Sequence, residues 1–416
     1  MTFDEATGRK RILERTRMQM QAEGLDAYLA YTPSNNHYCT GFVSWFVGEH
    51  WRFHGGQLTL IPADPDVPAA LILPEAEAPL ARRSTRIDDV RGYGMWIETR
   101  EHDVIATPPS PGVAPLERTS WWEPEEQDAI LRDVLGERGL LGGRIGTDLS
   151  FAMLDSAERF RRLAPTARWI DWSAAMFELR AVKQPFEIDR LARAVELQES
   201  AFEVVRDSLE EGITASDIRN LYSRAILDAA GASHRYPDFA DSWILVSVGS
   251  DDGIGGDESG RKLAKGELVT LDGGVRVGGY KSDGGRTFAF GQPPDVARRF
   301  HETLLAANDL ACAELVPGRP IARAFHAAEQ HMHTNGYPQY CRGQYGHSIG
   351  LEQFPEEPPY ISRDETREVE TGMVLAVETP YYGADLGAMT IEDMILVTDD
   401  GPEPMHRAPR GLVVVD

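Results

Sequence analysis

Cysteine is scarce, with only Cys39, Cys312 and Cys341 in 416 residues. Their spacing matches neither a disulfide framework nor a metal knuckle, so the three thiols are expected to be unpaired, in a reducing cytoplasm. No apolar run reaches the roughly 20 residues that a bilayer demands, which excludes a membrane-spanning helix. The opening stretch MTFDEATGRKRILERTRMQMQ is polar throughout and lacks the apolar segment of a secretory signal. Basic charge is in deficit as well: 42 Lys and Arg face 66 Asp and Glu, for a net charge of −24. A nucleic-acid binder needs a basic face to displace counterions, so no nucleic-acid partner is expected. The acid excess serves solubility first and would favour a cationic ligand second.

What is present is a globular composition, 42% hydrophobic and 26% charged, in a chain too long for one ordinary core. Two domains are expected, 1–175 and 176–416. In the first, residues 5–24 have the pattern of an amphipathic helix closed by Gly24, and DAYLAY (26–31) that of a strand. Residues 34–56, SNNHYCTGFVSWFVGEHWRFHGG, are expected to be irregular. Apolar segments at 57–61, 69–73 and 90–96, a proline-rich loop at 103–124, a helix near 125–138 and strands within 142–150 and 167–173 complete an α/β pattern. In the second domain, a helix starts at Pro185 and runs to Gly212, a second covers TASDIRNLYSRAILDAAGA, and a helix pair lies within 295–334.

The chemistry concentrates in VTLDGGVRVGGYKSDGGRTF, residues 269–288, where Asp272 ends an apolar strand and Asp283 follows eleven positions later. A hairpin would bring the two carboxylates together, and acids held that close either share a proton or bind a cation. His347 stands in QYGHSIG, Glu378 in the strand GMVLAVE on the same face as Val374 and Ala376, and Glu392 in the apolar stretch TIEDMILV. Acids inside apolar strands are costly unless paired or metal-bound. Four carboxylates and one imidazole form a mixed O/N set suited to two Mn, Fe, Co or Zn ions.

Taken in order, these motifs resemble the pita-bread metallopeptidases, which include aminopeptidase P, prolidase, methionine aminopeptidase and the non-peptidase creatinase. SDGGRTF and ELRAVKQPFEIDRLARA resemble stretches of the catalytic domain, and SNNHYCTGF is similar to one in the creatinase/prolidase N-terminal domain. The resemblance implies an α/β (α+β) chain, a creatinase-like N-terminal domain followed by a pita-bread catalytic domain. It implies that Asp272 chelates one metal, that His347 and Glu378 chelate the other, and that Asp283 and Glu392 bridge. It further implies a homodimer in which the aromatic stretch around Trp45, Trp51 and His54 reaches the other subunit's site.

Three positions depart from the family pattern. Phe354 and Gly255 occupy registers where its peptidases carry histidines, and Thr390 stands where an arginine often precedes the IED glutamate. The lost imidazoles would assist proton transfer and hold the oxyanion, each worth ~10²–10³-fold in rate. A remote histidine (His234, His326 or His331) is one alternative source, and Glu356 or Glu357 another base. Phe354, Gly255, Trp45, Trp51 and His54 are the expected substrate pocket, and Glu378, Glu356 and His347 the expected catalytic groups. The first expectation is a dinuclear hydrolase cleaving a C–N bond in a dipeptide or small amide. The second is a non-peptidase acting on a small metabolite: a creatine- or ectoine-type hydrolase, or a lyase of an onium acid such as dimethylsulfoniopropionate. The third is a catalytically silent interaction protein, against which the intact ligand set counts.

Overall fold

Short apolar strands alternate with helices over residues 27–171, and the computed structural model folds them into one six-stranded sheet. The structure describes residues 4–48, 56–114, 116–121, 124–250, 260–352, 354 and 356–416. They form two compact units, Asp4–Leu179 and Arg180–Asp416. The first unit holds β1 (Ala27–Ala30), β2 (Leu58–Pro62), β3 (Ala70–Pro74), β4 (Asp89–Tyr93), β5 (Arg144–Thr147) and β6 (Arg168–Asp171) in the order β4-β3-β2-β1-β5-β6. Its core joins Leu29, Leu60, Ile72 and Ile145 to Leu131, Val134 and Phe160 from the helices Pro124–Glu137 and Leu154–Leu163.

The SNNHYCT stretch, expected to be irregular, is a helix, Pro33–Thr40. Three local signals account for it. The Thr32 hydroxyl accepts from the Asn35 N–H, Pro33 sits in the first turn, and Gly41 closes the helix at φ 77°. Buried Asp148 then locks this helix to the sheet. It accepts from the Tyr28 hydroxyl, the Tyr31 and Thr32 N–H groups and the Asn35 amide, at 2.6–2.9 Å. Four donors around one buried carboxylate make the motif structural in this unit.

In the second unit the helix Pro185–Asp207 opens with a capping box between Gln184 and Glu187, and Thr214 with Asp217 caps the helix Ala215–Gly231. The helices Asp295–Ala313 and Ala322–Thr334 follow. The strands are β7 (Phe239–Val248), β8 (Glu267–Val277), β9 (Tyr280–Lys281), β10 (Gly284–Phe290), β11 (Gln344–Ser348), β12 (Glu357–Ser362), β13 (Val374–Glu378), β14 (Glu392–Thr398), β15 (Gly401–Pro404) and β16 (Val413–Val415). The main path of their sheet is β12-β11-β13-β14-β10-β8-β7. One core packs the first helix pair on β7, β8 and β10, and another packs the second pair on β11, β13 and β14.

Contrary to the sequence reading, β8 does not end at Asp272 but continues to Val277. Gly273 and Gly274 carry it through: a Cβ on Gly274 would lie 1.9 Å from the Ser282 carbonyl oxygen. The turn to β9 is Gly278-Gly279, both at positive φ, as a two-residue hairpin requires.

Two carboxamides tie the halves of the sheet to their helices. Gln198 donates to the carbonyls of Gly273 (2.6 Å) and Gly284 (3.1 Å), bridging β8 and β10. Asn308 donates to the carbonyls of Val377 (3.0 Å) and Ile391 (3.2 Å), bridging the end of β13 and the start of β14. Both are fully buried, so removing either deletes two buried hydrogen bonds to the sheet, although the Ile391 carbonyl also accepts from the Thr379 N–H (3.0 Å). Asn308→Ala or Gln198→Ala should each lower unfolding free energy by about 1–3 kcal/mol. Urea denaturation checks this, and an unchanged midpoint would rule out the bridging role.

Candidate metal centre

Strand register explains why the acids meet. Asp272 on β8 pairs with Gly285 on β10, Gly285 with Glu392 on β14, and Glu392 with Glu378 on β13. Paired residues of antiparallel strands present their side chains to the same face, so three carboxylates line one row across four strands. Glycine is required in the gap: a Cβ on Gly285 would sit 2.3 Å from Thr390 Cγ2. Thr390, at the register of the family arginine, packs onto Gly285, and its N–H donates to Thr287 Oγ1 (2.8 Å). Asp283 immediately precedes β10, and His347 on β11 pairs with Ala376, two residues before Glu378.

One ligand atom from each of Asp283, His347 and Glu392 lies within 4.8 Å of the others, and all three residues are buried. His347 Nε2 is 3.7 Å from Asp283 Oδ2 and 3.9 Å from Glu392 Oε1. Its Nδ1 donates to the Ser348 carbonyl (2.9 Å), which fixes the tautomer and leaves the Nε2 lone pair facing the acids. Asp283 Oδ1 is buried with no hydrogen-bond partner. Burial, then the charges of neighbouring acids, holds the carboxyls of Asp283 and Glu392 well above the usual range. Asp272 is pushed up to about 7 by burial and by Glu378 and Glu356. An unpartnered oxygen, a lone pair aimed at acids and like charges crowded out of water together fit a divalent cation. Asp283, His347 and Glu392 could hold one, with Asp272 and Glu378 flanking them.

The structure also shows groups that sequence reasoning missed. Arg342 Nη2 donates to Glu378 Oε1 (2.8 Å), and its Nε donates to the Gln344 carbonyl (2.8 Å). A cation therefore reaches the carboxylates from the segment before β11 rather than from position 390. Behind Glu392, Arg286 donates to its carbonyl (2.8 Å) and to Asp393 Oδ1 (2.6 Å), while Arg410 Nε lies 2.5 Å from Asp393 Oδ2. Buried His406 accepts the Met394 N–H at Nδ1 (3.0 Å), and burial holds it neutral, with its pKa lowered to about 4. The IED and DGGR patterns carry a signal for the Arg286–Asp393 pair, but no local pattern points to Arg342, Arg410 or His406.

Other expectations land elsewhere. Glu356 accepts from the Gln344 amide (2.9 Å), and its charge acts on Asp272 and Asp283. Glu357 does not stand free as a base: it accepts from the Leu351 and Glu352 N–H groups (2.7 and 2.8 Å), and Arg180 lies 3.1 Å away. Phe354 is 69% exposed. Trp45 is 79% exposed and meets Phe46 edge-on at 5.1 Å; Phe46 meets Trp96, which stacks on Trp121 at 4.7 Å. Gly255, Trp51 and His54 lie outside the described residues. His326 is exposed beside Phe325, His331 contacts Asn335, and His234 is exposed, so the imidazole gathered with the acids is that of His347. None of the three cysteines is in a disulfide among the described residues. No helix among the described residues is long and apolar enough to cross a membrane.

Comparison with known proteins identifies the family and the fold. Residues 12–182 match the creatinase/prolidase N-terminal domain, and residues 189–399 match metallopeptidase family M24. The Bacillus subtilis protein named uncharacterized peptidase YqhT is 28% identical over 271 residues, 65% of this chain and 72% of that protein. An uncharacterized peptidase of Staphylococcus aureus strain MW2 is 30% identical over 228 residues, 54% of this chain and 62% of its own length. Among solved structures, the Xaa-Pro dipeptidase from Bacillus anthracis superposes with a TM-score of 0.78 at 21% identity, covering 98% of this chain and all of that one. That likeness shows the fold, a creatinase-type N-terminal domain ahead of a pita-bread domain. With the family match spanning half its length, the chain belongs to metallopeptidase family M24.

Proposed function

We propose that the protein is a metal-dependent hydrolase that cleaves a C–N bond in a dipeptide or small amide, with two divalent ions (Mn, Fe, Co or Zn) held by Asp272, Asp283, His347, Glu378 and Glu392. The observation that carries this reading is the row Asp272–Gly285–Glu392–Glu378 with Asp283 and His347 beside it. Divalent metal in such a site polarises a carbonyl and lowers the pKa of water. The chain's own residues supply the rest. Asp283 and Glu392, central to the cluster, would bridge, and the Ser348 carbonyl holds His347 in the ligating tautomer. Glu378 is engaged by Arg342, so Glu356, held by the neutral Gln344 amide, is the better placed to carry a proton to the leaving nitrogen.

The bridging assignment is tested by elemental analysis. Glu392→Ala or Asp283→Ala should lose both metals, whereas wild type should bind two. Two equivalents retained in Glu392→Ala would falsify bridging, and wild type that takes up no metal under any loading would remove the site.

Stripping the metal should also change the pH dependence of stability. An acid whose folded pKa is raised stabilises the fold below its unfolded pKa, and that contribution is lost as pH rises through the folded one. For Asp272 this window runs from its ordinary 3.8 to about 7, and Asp283 and Glu392 shift in the same direction. Tm of the chelated protein should therefore fall between pH about 5 and about 8, and manganese should restore most of the loss. A Tm that is flat across this range with and without metal would contradict the repulsion on which the site rests.

With His347 alone among the described imidazoles in the cluster, turnover of Xaa-Pro dipeptides should be slow. Assayed beside a family dipeptidase that carries both additional histidines, the metal-loaded protein should be at least about 10²-fold slower in kcat/KM. Equal rates would show that the departures at Phe354 and Gly255 carry no functional weight.

A further inference from the structure

A cavity of the second unit, about 560 Å³, is walled by aromatic side chains and contains one formal charge among its described lining residues. Phe300, Tyr337, Tyr340, Tyr381 and Tyr382 line it, and Arg342 is its only charged residue. The volume suits a small organic ligand. The rings brace one another: Phe300 lies 4.5 Å from Tyr337 and 4.8 Å from Tyr381 between ring centroids. The Tyr340 hydroxyl is engaged by the Pro380 carbonyl, and that of Tyr381 by Asp385. These two residues therefore offer ring surface rather than free hydroxyls.

The cavity adjoins the metal centre. Arg342 lines it while bonding to Glu378, and the phenol of Tyr382 is pushed up by burial and by the charges of Asp272, Glu378 and Glu392. Arg342 thus joins the cavity wall to the carboxylate row. Arg342 makes its one ion pair with Glu378. Its Nε and Nη2 donate to the Gln344 carbonyl and to Glu378, and Tyr340 is a further hydrogen-bond partner of the guanidinium, whose positive charge in the cavity wall would attract an anion. A cation entering here would meet the guanidinium, so an onium group is disfavoured despite the aromatic walls.

We propose that this cavity receives the leaving half of the substrate: an amino acid with an aromatic or large apolar side chain, its free carboxylate on Arg342 and its ring among Phe300, Tyr337 and Tyr381. The inference rests on the hydrolase reading above and names its substrate class, N-acyl or N-aminoacyl derivatives of aromatic amino acids. With the carboxylate at Arg342, the scissile C–N bond lies toward Glu378. Hydrolysis breaks that bond, places the water oxygen on the acyl carbon and one water proton on the departing nitrogen, and needs no other reactant.

The test uses 3-phenylpropionate, a stand-in for the leaving amino acid, with full-length manganese-loaded protein. Calorimetry should show 3-phenylpropionate binding on the order of tenfold or more tighter than propionate or 3-phenylpropylamine. Cys341, an exposed thiol in the cavity wall, provides a second readout, since the bound probe should slow its alkylation by iodoacetamide. Arg342→Gln should weaken the probe about tenfold or more. Tyr337→Ala, at the half-exposed rim, should weaken 3-phenylpropionate and leave propionate unchanged, which guards against a misfolded arginine variant. Equal binding of acid and amine, or unprotected Cys341 with manganese bound, overturns the subsite while leaving the hydrolase reading intact. Protein that binds the probe but no manganese overturns the hydrolase reading, and with it this cavity's role as a leaving-group site.

Discussion

Like charge held out of water is the constraint around which the second unit is organised. Asp283 and Glu392 are buried and Asp272 and Glu378 are partly so, and among the described residues the arginine that ion-pairs with any of the four is Arg342, at Glu378. Arg342 reaches only Glu378, while Arg286 approaches Glu392 at its backbone carbonyl rather than its carboxylate. A chain that stabilised these acids by itself would bring a guanidinium into the row. This one places a glycine there instead, with Thr390 packed against it. The arrangement makes sense as a receptacle whose missing charge is delivered from outside.

Holding such a receptacle open requires rigidity at the strands rather than at the side chains. Gln198 and Asn308 occupy corresponding places in the two halves, each on a helix and each donating two hydrogen bonds to carbonyls that flank the acids. Asn308 is fixed in turn by Arg410, whose guanidinium also reaches Asp393 beside Glu392. Arg286 closes this group by bonding Asp393 and the carbonyls of Gly285 and Glu392. The charges of buried Arg286 and Asp393 and of partly exposed Arg410 are thus mutually compensated, unlike those of the row above them. Paired charge serves as scaffold and unpaired charge as site, within a few residues of β14.

The extent to which this was legible in the sequence follows from the range of the interactions. Helix starts marked by Pro185 with Glu187 and by Thr214 with Asp217 are local signals, and the helices begin where those residues indicate. The acids were recognisable because carboxylates inside apolar strands stand out from any packing pattern. The helix at Pro33–Thr40 escaped because its polar residues carry no apolar periodicity; they are buried through hydrogen bonds, with Asp148 more than 100 residues away supplying the acceptor. β8 was cut short at Asp272 because paired glycines look like a turn, whereas here they let strands approach too closely for any Cβ. Arg342 was invisible for a different reason. Its segment has no regular structure, and its meaning lies wholly in the contact with Glu378.

That contact also bears on how the site departs from its relatives. Where the sequence resemblance implies a histidine, this chain has Phe354, 69% exposed, and no described imidazole other than that of His347 belongs to the candidate metal cluster. Loss of imidazole removes a proton carrier and an oxyanion partner together, whereas a guanidinium replaces only the second, because it donates hydrogen bonds without giving up a proton near neutral pH. On the proposed hydrolase reading, Arg342 would orient or neutralise an anionic group and a carboxyl would carry the proton. Glu356 meets the requirements of position and freedom that Glu357, fixed by Arg180 and two backbone N–H groups, does not. A site built in this way gains most from substrates that bring a negative charge to the arginine. The aromatic cavity beside it then has a physical reason to lie against Arg342 and not among the lysines and arginines of the surface.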